Sequence, residues 1–144
     1  MNIFTIGYTK KTAAKFFELI SSNKIDILID VRRYNSTQLA GFAKGRDLEY
    51  FLAKLCNCDY SWEIQFAPTA PLLDDYKNGR ITWDEYEAVY KELLNEQNIA
   101  FFEGFADKRI CLLCAEDLPD FCHRRLLAEK IALAYPNTEI KHLL

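Results

Sequence analysis

The sequence has no apolar run approaching the ~20 residues that cross a membrane as a helix. It also lacks a Gly/Ser-rich linker, an internal repeat and any low-complexity stretch. Nothing therefore divides its 144 residues, a length that suits one domain. The opening MNIFTIGYTKKT has no basic segment leading into an apolar one, so no secretory signal is expected and the expected compartment is the cytoplasm. Excess positive charge is absent too. Eighteen Lys+Arg stand against 21 Asp+Glu, for a net charge of -3. That balance opposes a general basic coat for nucleic acid but leaves room for a local basic pocket. Finally, the cysteine count is not even. Five cysteines cannot all pair internally, and in the cytoplasm thiols stay reduced. What is present is a chain half hydrophobic and 14% aromatic, which is ordered rather than disordered.

Element signals alternate. Asn2–Gly7 is a β-branched and aromatic run ending in Gly, and reads as a strand. Residues 12–22 place Ala13, Phe16, Phe17 and Ile20 at helical spacing behind a Thr12 cap. Asp26–Val31 is continuously apolar in its middle, as in a sheet covered on both faces. Asn35–Gly45 reads as a loop and Asp47–Leu55 as a helix, with a strand expected over Tyr60–Gln65. The APTAP of Ala67–Pro71 should interrupt regular structure. A Thr cap and early acids mark a helix over Thr82–Asn95, with Tyr86, Val89, Tyr90, Leu93 and Leu94 inward. A buried strand over Arg109–Cys114, a helix within Pro119–Tyr135 and a strand over Thr138–Leu143 complete the series. The expected fold is α/β: a three-layer sandwich, its mostly parallel sheet flanked by helices.

Open parallel sheets bind ligands at the carboxyl ends of their strands. Three such ends carry chemistry: Gly7-Tyr8-Thr9, Asp30-Val31-Arg32 and Cys114-Ala115-Glu116. Cys111 and Cys114 form a CxxC, but on a strand an odd separation places them on opposite faces. Adjacent Cys122 and His123 diverge by about 100° if both are helical. No metal site is therefore expected. Cys122 near a helix start is a better candidate, because the positive helix end favours a thiolate. Cys114, Glu116 and Cys122 are thus candidate catalytic residues. Tyr8, Asp30, Arg32, His123 and Arg124 are candidate substrate contacts, the arginines for an anionic group. A structural reading stands beside each: Cys114 and Cys122 as packing thiols, Asp30–Arg32 and Glu116–Arg124 as internal ion pairs, Tyr8 as packing. His142 reads as a half-buried strand histidine. Trp62, Trp83 and the Tyr-rich helix read as core rather than base-stacking groups.

TIGYT at 5–9, LIDVR at 28–32, LLCAE at 112–116 and CHR at 122–124 together resemble the bacterial family called domain of unknown function 488. Phe42, Lys44, Trp83, Tyr86 and Leu126–Ala128 also follow its pattern, so the resemblance spans nearly the whole chain. It implies an α/β domain and marks Tyr8, Asp30, Arg32, Cys114, Glu116, Cys122, His123 and Arg124 as motif positions, without naming a reaction or cofactor. The RYNST after Arg32 and the IQFAPTA near 64–70 depart from the pattern. The strand and helix order is also similar to rhodanese-like domains and Cys phosphatases. Here, however, nine residues separate Cys114 from Arg124, too many for their tight anion cradle. Two function classes follow. One is an enzyme acting on a phosphorylated or nucleic-acid-related substrate at the strand rim. The other is a ligand- or nucleic-acid-binding module with structural cysteines.

Overall fold

A computed structural model describes residues 1–36 and 40–144. Five strands form one parallel sheet: β1 Asn2–Gly7, β2 Ile27–Asp30, β3 Asp59–Trp62, β4 Arg109–Cys114 and β5 Glu139–Leu143, in the order β3-β2-β4-β1-β5. Among the described residues five α-helices connect them: α1 Ala13–Ser22, α2 Gly45–Phe51, α3 Ala70–Lys77, α4 Trp83–Asn95 and α5 His123–Ala134. The expected α/β sandwich is the observed architecture.

The handedness of parallel crossovers explains the layers. The chain runs one way along the sheet from β1 through β2 to β3, then reverses to reach β4 and β5. Right-handed connections must then lie on opposite faces before and after the reversal. Accordingly, Phe16, Phe17 and Ile20 of α1 pack with Leu48 and Leu52 under Phe4, Ile6, Leu28, Cys111 and Leu113. On the other face Tyr86, Tyr90 and Leu94 of α4 join Leu126, Leu127 and Ile131 of α5 over Ile3, Ile29, Ile110 and Leu112. Each central strand alternates between these two cores, because its side chains point to opposite faces in turn.

Local signals account for most boundaries. Thr12 caps α1 by accepting from the Lys15 N–H at 3.1 Å. Thr82 and Glu85 exchange hydrogen bonds as a capping box at the start of α4. Three expectations differ from the structure. The APTAP segment does not stop a helix but begins one. Thr69 caps α3 and Pro71 sits in its first turn, where a missing N–H costs no helical hydrogen bond. α2 starts earlier than expected and passes into a π-helical turn, Leu52–Cys56, ending at Asn57 in the left-handed region. β3 stops at Trp62, and Ile64–Phe66 turns instead as a short 3-10 segment. Within the loop expected over 35–45, residues 37–39 lie outside the described residues, and Gly41–Ala43 forms a 3-10 turn.

Candidate functional site

The three chemistry-bearing strand ends are neighbours. Gly7 is in register with Cys114, and Asp30 with Leu113, so β4 ends between β1 and β2. The connection leaving β4 lies on the face opposite to those leaving β1 and β2. That divergence opens the crevice where such sheets take ligands.

Cys114 faces α5 from the end of β4, while Cys111, three residues earlier, lies in the opposite core. The strand parity read from the CxxC therefore holds. The expected divergence of Cys122 and His123 does not. Cys122 is the N-cap of α5, with extended backbone (φ -140, ψ 137), and only His123 is helical. This bend lets adjacent side chains converge. The two sulfurs and a His123 ring nitrogen all lie within 4.8 Å of one another. The Cys114 Sγ is 3.5 Å from His123 Nδ1. His123 Nε2 lies 2.7 Å from the Val31 carbonyl, which can only accept, so Nε2 carries the proton and Nδ1 faces the thiols. Exposure is low at all three: 6% for Cys114, 2% for Cys122 and 4% for His123.

The two thiols differ electrostatically. Burial opposes ionisation at Cys122, but the Cys114 thiol, the adjacent His123 ring and the Arg124 guanidinium together outweigh it and hold this thiol well below its ordinary range. Burial pushes Cys114 up, and the neighbouring Cys122 pushes it further. Above them, Tyr90 lays its ring against His123 at 5.3 Å and anchors its hydroxyl on the Phe66 carbonyl at 2.6 Å.

The remaining motif positions build the walls. Arg124 is fully buried and donates to the carbonyls of Glu116 and Asp117, so it holds the β4–α5 loop rather than a carboxylate. Gly7 makes room for that loop, since a Cβ there would collide with the Glu116 carbonyl. The Glu116 side chain is exposed and lines a hollow of about 230 Å³ with Thr9, Lys10 and Phe121. Lys11 clamps the same loop through Asp117 at 2.6 Å, and this hydrogen bond holds the Asp117 carboxyl below its usual range. Asp30 and Arg32 form a buried bidentate pair at 2.8 and 2.7 Å. Tyr60 donates to Asp30 at 2.6 Å, Arg32 also holds the Ala43 carbonyl, and the Arg32 guanidinium lies 5.2 Å from the centre of the Tyr8 ring. Its Nη1 has no partner among the described residues.

Sequence reasoning missed Tyr60, Lys11, Tyr90 and the Val31 carbonyl. Tyr60, Lys11 and Tyr90 carry no local motif, Val31 contributes its backbone rather than its side chain, and each joins the site only through strand order or loop packing. Residues 12–131 match the family model for the domain of unknown function DUF488. The chain belongs to the DUF488 family. No curated protein and no solved structure matched it. Cys114, Cys122, His123 and the buried arginines Arg32 and Arg124 all fall inside the DUF488 match.

Proposed function

We propose that this DUF488 protein is an enzyme acting on a phosphorylated or nucleotide-like substrate at the carboxyl rim of its sheet. One observation carries the reading: Cys114, Cys122 and His123, from two separate elements, converge at the crevice between β1, β4 and β2. Convergent thiol and imidazole groups are the usual equipment of a reactive centre. Glu116 supplies an exposed carboxylate in the adjoining hollow, placed to exchange protons with a bound substrate. The positive end of α5, Lys10 in the hollow and the Arg32 Nη1, which has no partner among the described residues, favour an anionic group.

The test is a panel of nucleotides, sugar phosphates and short 5′-phosphorylated oligonucleotides, followed by mass spectrometry and phosphate release. At least one should be consumed. Cys114→Ser and Cys122→Ser should abolish the turnover, Glu116→Gln should slow it roughly 10²–10⁴-fold, and Cys56→Ser, remote from the rim, should leave it intact. Turnover surviving Cys122→Ser would overturn the reading. Binding without turnover would favour the ligand-binding module instead, a reading that the burial of both thiols supports.

A further inference from the structure

We infer that Cys114, Cys122 and His123 form a three-ligand site for zinc or a similarly thiophilic divalent cation, with the fourth coordination position left to solvent or substrate. The inference rests on the same rim centre as the proposed function and names what that centre holds.

Geometry is the first support. Tetrahedral zinc with Zn–S of about 2.3 Å and Zn–N of about 2.0–2.1 Å spaces its donors about 3.5–3.8 Å apart. The Cys114 Sγ to His123 Nδ1 distance is 3.5 Å, and all three donor atoms fall within 4.8 Å of one another. One donor pair thus stands at tetrahedral spacing, and the protein's own packing brings all three donors within 4.8 Å of one another.

The histidine supplies a second, independent support. Metal-ligating imidazoles generally donate their other N–H to a carboxylate or backbone carbonyl, which fixes tautomer and ring orientation. His123 does this with the Val31 carbonyl at 2.7 Å, and Tyr90 packs against its ring. The Nδ1 lone pair is therefore directed at the two sulfurs.

Ligand type and number select the ion. Two thiolates and a neutral imidazole suit zinc and disfavour magnesium or calcium, which require oxygen donors. Two thiolates also match the charge of a divalent ion. Structural zinc sites take four protein ligands, whereas catalytic ones take three and leave a position open. Among the described residues only these three converge here. A zinc ion so held polarises a bound oxygen or lowers the pKa of bound water.

Cobalt substitution of the reduced, chelator-treated full chain tests the site. One equivalent of Co²⁺ should give thiolate-to-cobalt charge transfer and the intense visible bands of tetrahedral coordination, and Zn²⁺ should displace them. Cys114→Ser, Cys122→Ser and His123→Gln should each weaken binding by more than the roughly 10–100-fold that loss of a supporting hydrogen bond costs. Cys56→Ser should bind as the parent does. Circular dichroism establishes that each variant is folded. Absence of charge transfer in the folded parent, or parent-like affinity in Cys122→Ser, would overturn the inference. So would a reduced protein that excludes cobalt yet forms a Cys114–Cys122 disulfide on oxidation. The phosphate panel separates this result from the enzyme reading. Full turnover by metal-free protein that binds no cobalt sinks the metal site alone, while tight stoichiometric cobalt with no turnover sinks the enzyme reading alone.

Discussion

Gly7 lacks a side chain at the one place in β1 where the Glu116 carbonyl occupies the space a Cβ would take. The same carbonyl accepts from Arg124, whose guanidinium is sealed beneath the loop. A small residue on one strand and a large cation on α5 therefore set a single loop position between them, in the loop that joins Cys114 to Cys122. Gly7→Ala forces the 115–117 backbone outward or strains β1. It should cost about 1–3 kcal/mol, the usual range for overpacking, measured as a lower urea midpoint with unchanged slope. A variant as stable as the parent would show that the loop yields freely and that Arg124 does not hold it. Neither role was legible from residue type. The sequence offered Arg124 as a substrate anchor because an arginine beside a helix start usually faces an anion, and only the packed loop reveals that backbone carbonyls take its donors.

Elements meet the site through Asp30. Its carboxylate ends β2, accepts from Tyr60 on β3, and fixes Arg32, which in turn holds the Ala43 carbonyl before α2. Both charges are buried, with side-chain exposure of 0% and 3%. Removing one partner of such a pair leaves an uncompensated buried charge and typically costs about 3–5 kcal/mol. Asp30→Asn should show that loss in urea unfolding, and Tyr60→Phe should lose about 1 kcal/mol. A change below that for Asp30→Asn would mean the pair is not structural and that Arg32 is available to a ligand. At this scale the sequence was informative where a period or cap is local. Strand parity separated Cys111 from Cys114, and the Thr82 cap located α4 within one residue. It misled where one backbone angle decides. Reading Cys122 as helical put its sulfur away from His123, and one extended N-cap residue reverses that conclusion. Similarly, a proline read as a breaker is the first turn of α3.

For the molecule as a whole, alternating strand and helix patterns were enough for the α/β class, but strand order was not legible. β4 inserts between β1 and β2, and this depends on long-range pairing that no segment records by itself. That insertion is what brings the three rim motifs together, and it makes β1 the bridge between the site and the edge strand β5. On that bridge Thr5 lies 2.6 Å from His142 Nδ1. A hydroxyl that donates to this nitrogen requires it unprotonated. Burial, reinforced by the Arg124 charge, lowers the His142 pKa below its ordinary value. The unfolded chain therefore takes up this proton first as pH falls. Stability attributable to His142 is complete above about pH 6.5, declines as pH drops through that value, and levels off once the folded pKa is passed. Urea unfolding at pH 7.5 and 5.5 should show a loss in the parent that is smaller in His142→Gln, where no proton is gained. Equal losses in both proteins would place the acid sensitivity elsewhere, with Asp117 and its Lys11 clamp the next group to examine, at lower pH.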